Sequence, residues 1–156
     1  MSTTILGLDK SKTENLVVGL NSLLSNFQVY YQNLRGLHWN IKGKSFFELH
    51  VKFEEFYTDS QEKIDMIAER ILTLQGTPIH TFAEYTELSK VAVGKNVSND
   101  VEAVQLVVNS LSELLKIERN ILNESDDASD EGTNSMMSDF IAEQEKTIWM
   151  LNAWLN

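Results

Sequence analysis

The chain has 156 residues, 42 % of them apolar, and a formal net charge of −10. That length and composition suit one domain with a hydrophobic core, and the absence of cysteine excludes disulfides, thiolate metal sites and thiol chemistry. So acidic a surface repels nucleic-acid phosphate and attracts cations.

The first residues, MSTTILGLDKSKTEN, lack the charged start and apolar core of a secretory signal. No apolar run approaches the length of a membrane span, so a soluble, cytoplasmic protein with no membrane partner is expected. A short flexible arm, about residues 1–11, precedes the first helix, and its Lys10 and Lys12 form the only local basic feature that could reach DNA. Ser11-Lys12-Thr13-Glu14 has the form of a capping box. Leu16, Leu20, Leu23, Phe27, Tyr30, Leu34 and Leu37 then recur at helical steps and predict a first helix running towards His38.

Ile41-Lys42-Gly43-Lys44 breaks that helix, and Ser45-Phe46-Phe47-Glu48 is a second capping box. The second helix carries Leu49, Phe53, Phe56, Ile64, Ile67, Ile71 and Leu74, with Gly76 suited to its C′ position and Pro78 beyond the stop. The connection from Gly76 to Asn96 is too long for a tight hairpin. Within it Thr81-Phe82-Ala83-Glu84 predicts a short helix over roughly Phe82 to Val91. Asn99 to Glu102 opens a third long helix with Val104, Val107, Val108, Leu111, Leu114, Leu115 and Ile121 on its apolar side. The acidic stretch ESDDASDEG reads as a turn, and Thr133 leads into a fourth long helix ending MLNAWLN. The chain thus reads as one all-α domain over residues 1–156: a ferritin-like four-helix bundle with a short extra helix in the long crossover between the second and third helices.

Two of the three histidines, His38 and His50, flank the break between the first two helices. On the second helix His50 and Glu54 are four apart, as are Asp65 and Glu69, so each pair shares a face. From Glu54 to Asp65 the helix turns by a net of about 20° but rises roughly 16 Å. The two pairs therefore point the same way from opposite ends of one helix. They cannot grip one metal ion, whose ligand bonds are only about 2 Å long.

An antiparallel copy across a twofold axis brings the His50/Glu54 end of one chain to the Asp65/Glu69 end of the other and makes two equivalent sites. Phe56 and Tyr57, between the pairs, would supply contact area, and His38 can fold back beside His50. Imidazole and carboxylate without sulfur suit iron, manganese or zinc, and spacing does not choose among them. His80 has no acidic partner at helical spacing and is read as structural. The Glu-x-x-His motif of an in-bundle di-iron site is absent.

Along nearly its whole length the chain resembles the Dps family, the mini-ferritins described as DNA-binding proteins from starved cells. The residues carrying the likeness are His38-Trp39-Asn40-Ile41-Lys42-Gly43, Phe46, Leu49-His50, Phe53-Glu54, Tyr57, and Asp65 with Ala68-Glu69-Arg70-Ile71. Glu84-Tyr85, Leu88 and Asp130-Glu131-Gly132-Thr133 add to it. The resemblance implies a hollow homododecamer built from twofold dimers. Such a cage oxidises Fe(II), preferably with hydrogen peroxide, and stores ferric mineral, protecting the cell from oxidative damage.

The resemblance also implies a ferroxidase site of His38, His50 and Glu54 from one subunit with Asp65 and Glu69 from its mate; the position of Glu54 is often aspartate in the family. Other divalent metals are possible at the same site. Trp39 beside His38 either gives up an electron or packs an interface. Glu55 either seeds mineral or is solvated. Asp126, Asp127 and Asp130 fall where the family's threefold pores carry carboxylates, with Asp130 the best placed.

DNA-binding relatives use a basic tail, whereas here the first fifteen residues hold two lysines and two acids. Weak or absent DNA binding is the expectation. Two other functions compete with the ferroxidase: a nucleoid-binding cage with secondary metal sites, and a helical bundle that merely dimerises.

Overall fold

Apolar residues at three- and four-residue steps become the buried faces of four long helices. The computed structural model describes residues 2–156, with α1 at Lys10–Asn40, α2 at Phe46–Thr73, α3 at Phe82–Leu88, α4 at Asp100–Asp127 and α5 at Glu131–Leu155. Met1, the first residue of the expected arm, lies outside the described residues. Helix α1 packs along α2 and against α4 and α3, while α4 packs along α5. Every residue of the predicted α1 stripe is buried, and Phe27, Phe53, Ile67, Ile71 and Leu114 join it in one core. Each such side chain gains roughly 1.5–3 kcal/mol by leaving water.

The crossover between α2 and α4 is held by three asparagines of α1. Asn21 accepts from Ile79 N at 2.8 Å and donates to Thr77 O. Asn26 accepts from Lys90 N at 2.8 Å, and Asn33 clamps Gly94 N and Ala92 O at 2.9 and 2.7 Å. These amides supply the backbone partners that an irregular segment lacks.

Helix ends differ from expectation in several places. The N-cap of α1 is Asp9, not Ser11: its carboxylate accepts from Lys12 N at 2.9 Å, and an anion there is favoured by the helix dipole. Residues 2–9 close on themselves through Thr4 N to Leu8 O and Lys10 N to Ser2 O. Ser45 does stand at the N-cap of α2, but its ψ of 16° is not extended and its side chain makes no capping bond. Gly43 O instead accepts from Phe46 N. Thr81 and Asn99 cap α3 and α4 as expected, although α3 stops at Leu88, three residues short of Val91.

The left-handed residue after α2 is Gln75 (φ 69°) rather than Gly76. Gly76 N donates to Ile71 O and Gln75 N to Leu72 O, a Schellman closure with glutamine at C′. Gly76 is required for a different reason: a Cβ there would lie 2.5 Å from Val17 Cγ1. Replacing Gln75 by glycine is expected to stabilise the chain by up to about 1 kcal/mol. A thermal melt should rise by roughly 2–4 °C; no rise would mean that the glutamine side chain offsets the strain.

The acidic stretch is mostly helix, not turn, because α4 continues through Asp127 and only residues 128–130 separate it from α5. Acids at a helix C-terminus oppose the dipole, but Lys12 reaches over from α1 and donates to Asp127 O at 2.9 Å. Helix α5 begins at Glu131 rather than Thr133, capped by Asp130.

Candidate metal centre

His38 ends up in the last turn of α1 and His50 in the second turn of α2, brought together by the short turn of residues 41–45. Their rings stack with centroids 3.8 Å apart and planes 11° from parallel. Each ring also bonds the other's backbone: His38 Nδ1 lies 2.6 Å from His50 O, and His50 Nδ1 lies 2.7 Å from His38 O. A carbonyl oxygen only accepts, so both Nδ1 atoms must carry the proton. With Nδ1 so engaged, Nε2 is the ring nitrogen of each imidazole that is left to bind a metal.

Phe46 stacks on His50 at 5.0 Å, and Tyr57 meets His38 edge-on at 5.5 Å. These rings fix the imidazole planes by packing. Glu54 follows His50 by one turn and accepts a long hydrogen bond, 3.4 Å, from the Tyr57 hydroxyl. Partial burial, then the charge of Glu54, raises the Tyr57 pKa above the usual tyrosine value. Tyr57 was expected to supply contact area; its hydroxyl contact with Glu54 was not legible in the spacing.

Asp65 and Glu69 are exposed further along α2, and Asp65 is separated from His50 by a rise of roughly 22 Å. Among the described residues, no three His, Cys, Asp or Glu side chains lie where they could hold a metal ion together. One chain therefore assembles the two histidines with Glu54 nearby, and leaves Asp65 and Glu69 apart from them.

Trp39 is 57 % exposed beside the pair, with the Arg35 guanidinium 5.0 Å from its ring. Glu55 is exposed and paired with Lys52 at 2.8 Å. Asp126 and Asp127 face solvent on the last turn of α4, Asp127 paired with Lys12 at 3.2 Å.

Asp130, expected among the pore carboxylates, is occupied within the chain. It is 3 % exposed, pairs with Arg70 at 2.6 Å and caps α5 by accepting from Thr133 N. Its oxygens are engaged inside the chain. The exposed His80 has Nδ1 2.9 Å from Pro78 O, a local turn contact.

A family model described as a ferritin-like domain matches residues 18–156. The DNA protection during starvation protein of Porphyromonas gingivalis is 40 % identical over 150 residues, covering 96 % of this chain and 94 % of that protein. The crystal structure of a Vibrio cholerae O1 DPS protein, described as a member of the ferritin-like diiron-carboxylate superfamily, superposes with a TM-score of 0.97. It is 49 % identical and the match covers 100 % of this chain and 98 % of that one. A Dps protein from Bacillus brevis follows with a TM-score of 0.91 and 37 % identity, covering 94 % of this chain and 98 % of that one.

Proposed function

Because the chain belongs to the Dps family of ferritin-like proteins, we propose that it is an iron-storage and iron-detoxifying ferroxidase acting in the cytoplasm during oxidative stress. The observation that carries this reading is the stacked His38/His50 pair, each ring tethered through Nδ1 with Nε2 left free.

His38, His50 and Glu54 of one subunit would face Asp65 and Glu69 of a twofold mate, twelve subunits closing into a hollow shell. Imidazole nitrogen and carboxylate oxygen bind Fe(II), and the hard carboxylates favour Fe(III) as charge develops. With hydrogen peroxide as oxidant, two Fe(II) give one electron each. The O–O bond breaks and two protons complete two waters, so no hydroxyl radical is released.

The test is ferric absorbance after Fe(II) and peroxide are added to the purified protein. The His38→Ala/His50→Ala variant is expected to lose roughly tenfold or more of the initial rate. Equal rates in both proteins would overturn the assignment.

The nucleoid-binding alternative is disfavoured by charge. Each subunit carries a net −10, and of the two lysines expected on the arm, which the structure places in the first turn of α1, Lys12 is already bonded to Asp127. DNA binding is therefore weak or absent. An electrophoretic shift at low salt is expected to vanish near physiological ionic strength; a shift that persists there would favour the nucleoid role.

A further inference from the structure

Four helices each bury a large polar side chain in the bundle. Tyr30 of α1, Lys63 of α2, Glu118 of α4 and Gln144 of α5 are 4, 5, 0 and 5 % exposed. Lys63 does not neutralise Glu118 by contact. Its ammonium turns outward to Asp59 at 2.6 Å and to Glu143 at 2.7 Å. Burial alone would depress the lysine, but those two carboxylates outweigh it and hold its pKa above the usual value. Arg119, on α4 itself, pairs with Glu145.

Glu118 is thus left with two buried oxygens without a hydrogen-bond partner, and Gln144, whose side chain is near enough to lower the Glu118 pKa, has in its Oε1 a third buried acceptor without a partner. An ionised carboxylate in that position carries the full cost of desolvation with nothing bonded to it. A single proton changes the count, because a neutral carboxylic acid is itself a donor.

We infer that Glu118 is held as a neutral acid whose hydroxyl donates to Gln144 Oε1, making the α4–α5 seam a proton-operated latch. Burial, the dominant influence, pushes the Glu118 pKa up to about 8, only partly offset by Gln144, Lys63 and Arg119. Tyr30, on the α1 side, stays a neutral phenol: burial first, then the charges of Asp59 and Glu118, raise its pKa.

The direction of the pH effect follows from linkage. Between the ordinary glutamate value of 4.5 and about 8, the unfolded chain has lost a proton that the folded chain keeps. Fewer protons on the unfolded state mean that stability falls as pH rises through that window. Above it both states are ionised, and the seam carries a buried charge.

The assembled wild-type protein and Glu118→Gln should be melted from pH 5 to pH 9, with Glu102→Gln, an exposed position at the start of α4, as control. Glutamine keeps the volume and an N–H donor towards Gln144 but binds no proton. The variant is expected to melt with the wild type near pH 5 and several degrees (~5 °C) above it near pH 8. A difference that does not change with pH would overturn the latch.

Infrared spectroscopy of the wild type gives an answer independent of whether the variant folds. The carbonyl stretch of a buried carboxylic acid should be present at pH 6 and lost by pH 9. Its absence at pH 6 would equally overturn the inference.

Discussion

Assembling a one-to-one mixture of the His38→Ala/His50→Ala and Asp65→Ala/Glu69→Ala chains is expected to recover about one quarter of wild-type iron oxidation from two inactive parents. His38 and His50 are stacked in one chain, while Asp65 lies a further roughly 22 Å of helix rise beyond His50. If a twofold mate supplies the acids, each mixed pair contains one site with both defects and one with none. Random pairing leaves the intact combination at about one site in four.

The outcomes separate cleanly. Active Asp65→Ala/Glu69→Ala protein would remove those acids from the site. Mixtures as inactive as both parents would place every ligand in a single chain. Co-refolding followed by peroxide-driven oxidation of Fe(II) is the measurement, with the mass of the assembly checked for each sample.

Asp130→Ala is expected to destabilise the folded chain by roughly 3–4 kcal/mol, enough to lower the melting temperature by about 8–15 °C. One carboxylate serves two helices. Oδ1 accepts from Arg70 Nη2 at 2.6 Å and from Thr133 N at 3.1 Å, and Oδ2 accepts from the Thr133 hydroxyl. Alanine removes a cap worth about 1 kcal/mol and leaves the guanidinium without its charge partner.

The Arg70 side chain keeps 22 % exposure, so the pair term belongs near or below the lower end of the buried range. Gly132 belongs to the same arrangement, since a Cβ there would stand 2.7 Å from the Arg70 guanidinium. Asp130→Asn, which retains an acceptor for the cap, should lose about half as much. A loss of under about 1 kcal/mol in Asp130→Ala, measured by thermal or denaturant unfolding, would show that Arg70 finds another partner.

What was legible before the structure follows a physical rule. Periodicity is local, so the stripes Leu16–Leu37 and Val104–Ile121 marked their helices, and the long crossover placed α3. The two apolar stripes and the break at Gly43 between them were enough to bring His38 and His50 to one hairpin. Features that depend on distant partners were hidden.

Nothing near Asp126 and Asp127 shows that Lys12, more than a hundred residues away, lets the helix continue through acids. The asparagines of α1 look neutral in a helical pattern until the crossover docks on them. The pairing of Asp130 with Arg70 was hidden because the two lie sixty residues apart in sequence. Glu118 sits among apolar neighbours with no motif, and only its complete burial singles it out. The histidine tethers were invisible for another reason: their acceptors are main-chain carbonyls, which every residue has.

Those tethers also decide which residues are interchangeable at positions 38 and 50. Carboxylates and thiolates are competent metal ligands, yet at either position they would turn an acceptor towards a carbonyl that needs a donor. Glutamine and asparagine supply the N–H but give up the strongly coordinating nitrogen. Imidazole alone among the twenty side chains donates from one edge while coordinating from the other. The hairpin and the proposed ligand set therefore share a single chemical requirement: a carboxylate or thiolate at either position would lose the Nδ1–H bond that ties the two helix ends together.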